Sequence, residues 1–451
     1  MIRAHHFFAR YLGIDRALFY SLLSRSWQML SGIVVLFLVV HFMDPITQGF
    51  YYTFKSILNL QLFFEMGLSF VILQSTSHYF VNLAWGKQGT ITGDELSREK
   101  LVAFIHKGFI WYSAATALFI LILIPAGFVF FNLKKNIATH ISWITPWIFV
   151  VIGTGVNLLL SPFLAVIEGS GRVAQINKFR TVQFFLATAA SWIVLALHGA
   201  LWTPVANIWV TTLVALVWLP KTYKEFIRLI WRTKFKTNIF GWSSEIWPLQ
   251  WRIALSWVSG FFIMQFFTPL LFYYSGPVVS GQMGISITLT SMLSLLCLSW
   301  VSVRSPQMGS LAAEKNWFDL DQLFKRIFAQ SVFVFLSGTF IILALLYFFN
   351  AYNFSHRWLP WFQISLLFLG MFSSHVVGAL ALYLRAHKAE PFMPLSVIGA
   401  VLITLSSWLG AKYYGSYGVC VAIAGVNIIY GLPSGLWLWL RYKRKWHGIL
   451  A

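Results

Sequence analysis

Charged residues are scarce in this chain, and acidic residues are the scarcest. Of its 451 residues 10% are charged, with 13 Asp and Glu against 33 Lys and Arg. Soluble domains carry about 25% charged residues, so an ordinary soluble enzyme or binding domain is excluded. The chain is instead 58% hydrophobic, with a mean hydropathy of +0.72. This composition predicts an all-α polytopic membrane protein.

Residues that usually build catalytic and metal sites are also missing from the sequence. The two cysteines, Cys297 and Cys420, lie within apolar stretches and are expected to pack as small apolar side chains. The sequence shows no Ser-His-Asp pattern, no metal-ligand cluster and no paired carboxylates at one depth. The glycines of Ile167–Arg172 do not form a phosphate loop, because no strand precedes them and no Gly-Lys-Ser/Thr follows. We therefore predict a protein that is not an enzyme and uses no cofactor or metal.

Long apolar segments predict twelve transmembrane helices, since a helix needs about 20 apolar residues to cross a bilayer. Six predicted spans precede the basic segment 221–242 and six follow it. We therefore predict an N-terminal six-helix lobe of residues 1–220, a cytoplasmic linker of residues 221–242 and a C-terminal six-helix lobe of residues 243–451. The predicted spans are residues 19–43, 48–75, 108–131, 142–166, 181–199, 204–220, 246–274, 281–303, 327–349, 359–384, 391–411 and 416–440.

The turn after the first span of each half predicts an internal repeat. Asp44–Gly49 is echoed by Gly276–Gly281, and both turns lead into the second span of their half. Two lobes that enter the membrane in the same orientation imply repeats about a pseudo-two-fold axis along the membrane normal. A chance likeness between two Pro-Gly turns is the alternative interpretation.

Basic residues are distributed unevenly among the gaps between spans. Alternate gaps, together with both ends of the chain, hold 26 of the 33 Lys and Arg. The opposite gaps hold only Lys134, Lys135, Arg357 and Lys412. By the positive-inside rule both termini are cytoplasmic. This alternation accounts for the net charge of +20 without a nucleic-acid partner.

Three charged residues lie inside the first two predicted spans, which meet at Asp44-Pro45. A charge at membrane depth costs roughly 2.5–3.5 kcal/mol on insertion scales, so Arg25, Lys55 and Glu65 are candidate functional residues. Arg25 lies 18 residues from the turn end of the first span, and Glu65 lies 17 residues from that of the second. These matching depths predict an ion pair between Arg25 and Glu65, whereas Lys55 has no acid at its own depth.

Lys55 is the predicted centre of an anion site. Gln48, Tyr52, Lys55 and Asn59 follow a helical spacing and are expected to form one polar stripe. Lysine binds phosphate as a point charge, and a cationic cavity suits an anionic substrate such as a diphosphate head group. Arg252, in the cytoplasmic half of the seventh span, is expected to add to this positive field. Snorkelling towards a membrane interface is the alternative for both Lys55 and Arg252.

Other polar residues in or next to spans are expected to be structural. Glu168 and Arg172 flank the turn after the fourth span and are predicted to pair with each other. His375 is an isolated polar residue in the tenth span, so a hydrogen bond between helices is its expected role.

Four segments of the first hairpin carry a family resemblance: Arg25–Gln28, Asp44-Pro45, Gly49–Phe54 and Phe63–Phe70. They resemble polysaccharide (O-antigen-type) flippases of the multidrug/oligosaccharidyl-lipid/polysaccharide exporter superfamily. Arg304-Ser305-Pro306 with Gly309 is similar to the second-half counterpart in that family. The resemblance implies two six-helix lobes, alternating access, and translocation of an undecaprenyl-diphosphate-linked oligosaccharide across the bacterial inner membrane.

The resemblance also implies roles for particular residues and partners. Glu65 is expected to serve as a coupling residue or as one member of a structural ion pair. The expected partners are a lipid-linked anionic oligosaccharide, membrane lipids, and the polysaccharide polymerase and chain-length proteins of O-antigen and lipopolysaccharide synthesis, with the chain itself a monomer. The resemblance carries the diphosphate-binding role to Arg25, Lys55 and Arg252. From the polar stripe, Asn59 and Tyr52 are expected to hydrogen-bond the same substrate.

Two other function classes remain open. A multidrug or cation antiporter of the same superfamily favours acidic sites for cationic drugs, and Glu65 is the acid available for that role. A membrane-embedded glycosyltransferase or polymerase usually needs a substantial external loop with catalytic side chains, and no predicted external loop is long enough.

Overall fold

The structure is a computed structural model that describes residues 16–86, 89–133, 141–232, 241–350, 355–387 and 391–447. Helices account for almost all of it. The first part of the chain forms α1 (Arg16–Phe42), α2 (Pro45–Leu58), α3 (Gln61–Glu65), α4 (Leu68–Tyr79), a hairpin of β1 (Leu83–Trp85) and β2 (Ile91–Gly93), α5 (Glu95–Asn132), α6 (Ile144–Gly169), α7 (Val173–Ala196), α8 (Trp202–Thr222), α9 (Lys224–Arg232) and α10 (Trp242–Glu245). The second part forms α11 (Trp247–Met264), α12 (Phe267–Ser275), α13 (Pro277–Val303), α14 (Ser305–Ala313), α15 (Trp317–Asn350), α16 (Trp361–Arg385), α17 (Met393–Gly425), a π-helical segment (Val426–Gly431) and α18 (Leu432–Trp446).

The helices reproduce the predicted spans. Within the described residues, eight helices are long and apolar enough to cross a membrane, and two bent pairs raise that number to ten. The continuous helical stretch Met393–Trp446 is one of the eight, but Gly415 divides it with a non-helical backbone (φ 58°, ψ −139°) between two predicted spans. With the helix α1, the all-α polytopic fold of about twelve helices is confirmed. In lipid every backbone N–H and C=O must be paired within the protein, which is why apolar spans fold as helices.

Two predicted boundaries are wrong. The second span is not one helix over residues 48–75, because it is interrupted between Leu58 and Leu68. The third helix begins earlier than the predicted residue 108, because α5 starts at Glu95 after a short antiparallel hairpin. Asp94 caps α5 by accepting a hydrogen bond from Ser97 N at 2.7 Å, and this cap starts the helix well before its apolar part. Lys134, Lys135 and Lys234, which contribute to the predicted topology, lie outside the described residues, so sidedness stays a prediction.

The chain divides into two compact units. The first comprises Met1–Met43 and Leu58–Val258, and the second comprises Asp44–Ile57 and Ser259–Ala451. These limits differ from the predicted lobes in two places. The segment of α2 belongs to the second unit, although it precedes most of the first unit in sequence. Residues 221–258, predicted to form the linker and the start of the second lobe, belong to the first unit.

Close backbone packing explains why α2 belongs to the second unit. A Cβ on Gly49 would lie 2.0 Å from Pro277 O, and a Cβ on Gly281 would lie 2.9 Å from Gly49 N. These glycines therefore bring α2 and α13 into direct contact, as small residues do between membrane helices. Thr53 and Ser280 add a hydrogen bond between their hydroxyls at 2.9 Å. The packing and this hydrogen bond hold α2 against the second unit.

Two further predictions concern side-chain partners: the ion pair of Glu168 and the hydrogen bond of His375. Glu168 pairs with Arg180, not with Arg172, through oxygen–nitrogen distances of 2.7 and 3.3 Å. Arg172 precedes α7 and lies over the Trp85 ring, while Arg180 is two turns into α7 and returns alongside Glu168. The prediction for His375 is confirmed, because its Nε2 lies 2.9 Å from Ser331 Oγ of α15 in a fully buried position.

Candidate functional site

Lys55 occupies the exposed side of an otherwise buried helix segment. All residues from Thr47 to Ile57 are described, and each is buried except Lys55. Its Nζ lies 5.6 Å from the centroid of the Tyr51 ring and 6.0 Å from that of Tyr52. A cation over aromatic faces is attracted by the ring quadrupole. The helix thus presents one ammonium group, framed by two tyrosines, on its exposed side.

The predicted polar stripe is wrong as a continuous surface. Gln48 is 1% exposed, and its Nε2 donates to Arg357 O at 3.0 Å. Tyr52 is also buried, with its ring against Gly284 of α13. Asn59 lies in the turn after α2 has ended at Leu58, so it no longer follows the spacing of that helix. Helical spacing applies to Gln48, Tyr52 and Lys55 but not to Asn59, which lies beyond the end of α2. Of the three residues within α2, packing buries Gln48 and Tyr52 and leaves Lys55 exposed.

The interruption of the second span has an unusual backbone. Met66 (φ 51°, ψ 34°) and Gly67 (φ 66°, ψ 15°) both adopt the left-handed conformation between α3 and α4. For a non-glycine residue such as Met66 this conformation costs about 1–2 kcal/mol. A Cβ on Gly67 would lie 2.4 Å from Ile253 Cγ2, so glycine is also required there for space. Strained residues persist only where the surrounding structure holds them, which marks this break as a candidate functional feature.

Glu65 is the last residue of α3, directly before this break, and its side chain is buried and hydrogen-bonded. The residue is 8% exposed, and Tyr112 Oη donates to its Oε1 at 3.1 Å. The same hydroxyl lies 2.8 Å from Ser69 Oγ. No sequence signal pointed to Tyr112, which is one aromatic residue among many in an apolar helix. The side chain of Arg25 lies outside the described residues, so its ion pair with Glu65 stays a prediction.

Arg252 is exposed on α11. Its guanidinium carbon lies 5.6 Å from the centroid of the adjacent Trp251 ring. Pro248 stands at the second position of α11, where proline is compatible with a helix because that N–H has no intrahelical partner. Pro248 therefore lies where α11 begins and does not interrupt the helix.

Each candidate residue belongs to one of the two units and is described within that unit. Lys55 and Tyr52 belong to the second unit. The others belong to the first unit: Arg25, Asn59, Glu65 and Arg252.

A polar corner at the start of α2 was not predicted as part of the site. Asp44 caps α2 by accepting hydrogen bonds from Ile46 N at 2.9 Å and Thr47 N at 3.0 Å. Burial acts to raise the pKa of Asp44, but the hydrogen bonds from Thr47 and Ile46 outweigh it and lower the pKa. Burial lowers the pKa of Arg357, against the opposing charge of Asp44. Gln48 joins this corner through its bond to the Arg357 carbonyl, so the start of α2 is anchored to the turn before α16.

The chain matches no protein-family model and no curated protein. Solved structures do match it over nearly its whole length. An inward-facing multidrug resistance MATE transporter of the MOP superfamily matches with a TM-score of 0.62 at 15% identity, covering 96% of this chain and 100% of that one. This chain has the MATE fold.

Two further structures agree with the MATE fold. A MATE transporter of Vibrio cholerae matches with a TM-score of 0.55 at 14% identity, covering 95% of this chain and 96% of that one. A MOP superfamily transporter from Pyrococcus furiosus matches with a TM-score of 0.52 at 14% identity, covering 96% and 95%. At these identities the likeness establishes the fold, while substrate and mechanism depend on the side chains of this chain.

Proposed function

We propose that this chain is a MOP superfamily transporter that flips a lipid-linked anionic oligosaccharide from the cytoplasmic to the periplasmic leaflet. The substrate would be an undecaprenyl-diphosphate-linked glycan used in polysaccharide synthesis of the O-antigen type. The protein would be located in the bacterial inner membrane. Transport would proceed by alternating access. The observation that carries the proposal is the exposed Lys55 on a helix segment that is otherwise buried.

The chemistry of Lys55 favours an anionic ligand. Placing an ammonium group within an apolar span is costly, and such residues usually mark a transport pathway. Lysine is a common phosphate ligand that acts as a point charge, and the exposed Arg252 offers a second cation in the first unit. Glu65, by contrast, is enclosed and hydrogen-bonded to Tyr112. The accessible charges among these candidates are therefore basic, which suits a diphosphate better than a cationic drug.

The comparisons are compatible with a change of ligand within this fold. The Pyrococcus furiosus relative is described as having a binding pocket of reverse polarity that suggests a different function. A MOP superfamily transporter can therefore have a binding pocket of reverse polarity. Arg25, Tyr52 and Asn59 are proposed as further substrate contacts, and Glu65 as a coupling or structural residue.

A multidrug antiporter is the second candidate function. It is favoured by the multidrug resistance MATE transporter with the same fold, and by the presence of an acid, Glu65, within the second span. In an antiporter the enclosed carboxylate would exchange a cation during transport. The two candidates differ in which residue is indispensable, Lys55 for the flippase and Glu65 for the antiporter.

Substitution of Lys55 tests the proposed function. In a strain that lacks the chromosomal gene, a plasmid copy with Lys55→Ala should reach the native protein level yet deliver at least about tenfold less glycan to the surface, since losing a charge-assisted contact costs about 1.4 kcal/mol or more. Lipid-linked intermediate should accumulate in the cytoplasmic leaflet. Lys55→Arg should keep part of the activity because the charge remains while its geometry changes.

Lys412 supplies the matched control. It is an exposed lysine in the same unit whose Nζ lies 5.2 Å from the Tyr413 ring centroid, so it shares the cation–aromatic contact. Lys412→Ala should leave glycan delivery unchanged. Normal surface glycan with Lys55→Ala at native protein level would contradict the flippase proposal. Normal glycan combined with increased drug sensitivity in the deletion strain would favour the antiporter.

A further inference from the structure

Polar side chains connect three helices near their ends in the second unit. Asp321, close to the start of α15, accepts a hydrogen bond from Tyr383 Oη of α16 at 2.6 Å. The other oxygen of the same carboxylate lies 2.6 Å from Lys443 Nζ of α18. The two ion-pair side chains are mostly buried, at 25% and 17% exposure. Such a pair is screened less by salt than a surface pair, so it holds α15 and α18 together.

Two histidines and a tryptophan adjoin this ion pair. His447, which follows α18, places its Nε2 3.3 Å from Tyr383 Oη and 3.4 Å from the Nε2 of His387, which follows α16. The Trp317 ring stacks on both imidazoles, with centroid distances of 4.3 Å to His447 and 5.6 Å to His387. The helix-end cluster, as we call this group, comprises Trp317, Asp321, Tyr383, His387, Lys443 and His447.

The distances allow only one hydrogen between the two imidazoles. The Nδ1 of His387 lies 3.3 Å from the carbonyl oxygen of Tyr383 and must carry its hydrogen to donate there. The Nε2 of a neutral His387 is then a bare acceptor. It can receive the Nε2–H of His447, which lies opposite at 3.4 Å. Adding a proton to His387 Nε2 would place two N–H groups head to head, and the contact would be lost.

We propose that the helix-end cluster is an acid-sensitive latch, in which protonation of His387 releases the ends of α16 and α18 from the start of α15. Above neutral pH the histidine pair, the tryptophan stack and the ion pair hold the three helices together. After protonation the two imidazoles repel each other, and the stack between them opens. The Asp321–Lys443 pair and the Tyr383–Asp321 hydrogen bond then restrain the helices without the histidine contact.

The charges around the pair set the direction of its pH response. Burial lowers the pKa of His387, against the opposing Tyr383 hydrogen bond and the charge of Asp321. Burial also lowers the pKa of His447, where the charge of Asp321 opposes this change and those of His387 and Lys443 add to it. A histidine whose pKa is lowered stabilises the closed form fully above its ordinary pKa of about 6.5, and this stabilisation is lost as the pH falls below that value.

Further basic groups lie near the pair. Lys325 of α15 lines a cavity of about 370 Å³ together with Asp321 and His447, and this cavity gives water a route to the His447 imidazole. The last turns of α16 and α18 carry Arg385, Arg444 and Lys445.

The latch can be tested by measuring the distance between the ends of α15 and α18. Spin labels would be attached through Gln322→Cys and Arg444→Cys, since both positions are exposed. The native Cys297 and Cys420 are buried and serve as the background measurement. In nanodiscs, the full chain should give one distance near pH 8 and a growing fraction of a longer distance as the pH falls from about 6.5 to about 5. The double variant His387→Gln/His447→Gln should show no pH-dependent change.

A third variant tests the role of the neighbouring lysine. Lys443→Met removes a charge that lowers the pKa of His447 and leaves Asp321 unpaired, so the longer distance should appear at higher pH than in the wild type. An unchanged or lowered midpoint would contradict the assigned geometry.

His356 provides the control for a general effect of histidine removal. It is exposed in the turn Ser355–Arg357 of the same unit, and His356→Gln should keep the wild-type pH response. A wild-type distance that stays constant from about pH 8 to about pH 5 would overturn the proposal, as would a response that persists in the double variant.

Discussion

Lys55 and Glu65 lie on the same predicted span, yet the structure places them in opposite surroundings. Lys55 is the exposed position of a helix segment whose neighbours are buried. Glu65 is 8% exposed and accepts a hydrogen bond from Tyr112. The left-handed residues Met66 and Gly67 follow Glu65 and separate α3 from α4. The comparison teaches that a charge in an apolar span can serve either packing or ligand binding, and that its surroundings decide which.

The largest expected effect on stability concerns Glu65. Glu65→Gln retains an oxygen that can accept from Tyr112, so its cost reports on the predicted ion pair with Arg25. Removing one partner of a buried pair strands the other at about 3–5 kcal/mol. Unfolding in a denaturing detergent would measure this loss, and exchanging the two residues should recover part of it. A Glu65→Gln variant that is as stable and active as the wild type would show that the ion pair is not required.

Gly49 should show the next largest effect, because it tests the buried side of α2 opposite to Lys55. A Cβ at this position would meet Pro277 O at 2.0 Å, so Gly49→Ala forces α2 away from α13. We expect a loss of about 1–3 kcal/mol in the free energy of unfolding, which is typical of overpacking. Gly260 is a helical glycine with open space around its Cβ position, and Gly260→Ala should be neutral or slightly stabilising. Equal effects at both positions would contradict the proposed packing.

Tyr112 should have a smaller effect than Gly49. Tyr112→Phe removes the hydroxyl that donates to Glu65 and lies beside Ser69, leaving a buried carboxylate short of one donor. We expect a loss of about 1–2 kcal/mol in the free energy of unfolding. Tyr273→Phe removes a hydroxyl from a residue that is 48% exposed and should change stability little. If Tyr112→Phe is no more costly than this control, Glu65 is held by other groups.

Lys55 should show the smallest effect on stability. Lys55→Gln changes an exposed side chain, so the free energy of unfolding should stay within about 0.5 kcal/mol of the wild type. Glycan delivery should nevertheless fall, because the proposed ligand contact needs the charge. A loss of stability above about 1 kcal/mol would assign Lys55 a structural role and remove the contrast with Glu65.

Sequence reasoning identified the charged positions in the first hairpin but not their surroundings. The hydropathy pattern identified Lys55 and Glu65 because charged residues are rare within apolar spans. Sequence reasoning treated the second span as one helix. It therefore extended the polar stripe to Asn59, beyond the end of α2 at Leu58. It also paired Glu168 with the nearest base, Arg172, whereas α7 brings Arg180 to it. These errors share a cause, since each depends on contacts between residues distant in sequence.

The sequence by itself determined the all-α membrane fold and its approximate number of helices. Lipid leaves backbone groups no partner outside the protein, so apolar length alone is enough to predict a helix. Only the tertiary structure decided that α2 packs in the second unit, that the second span breaks at Met66–Gly67, and that Tyr112 encloses Glu65. Those outcomes depend on close contacts such as Gly49 against Pro277. Local sequence carries the preference for a helix, while the partner of each helix is chosen by the shapes that meet after folding.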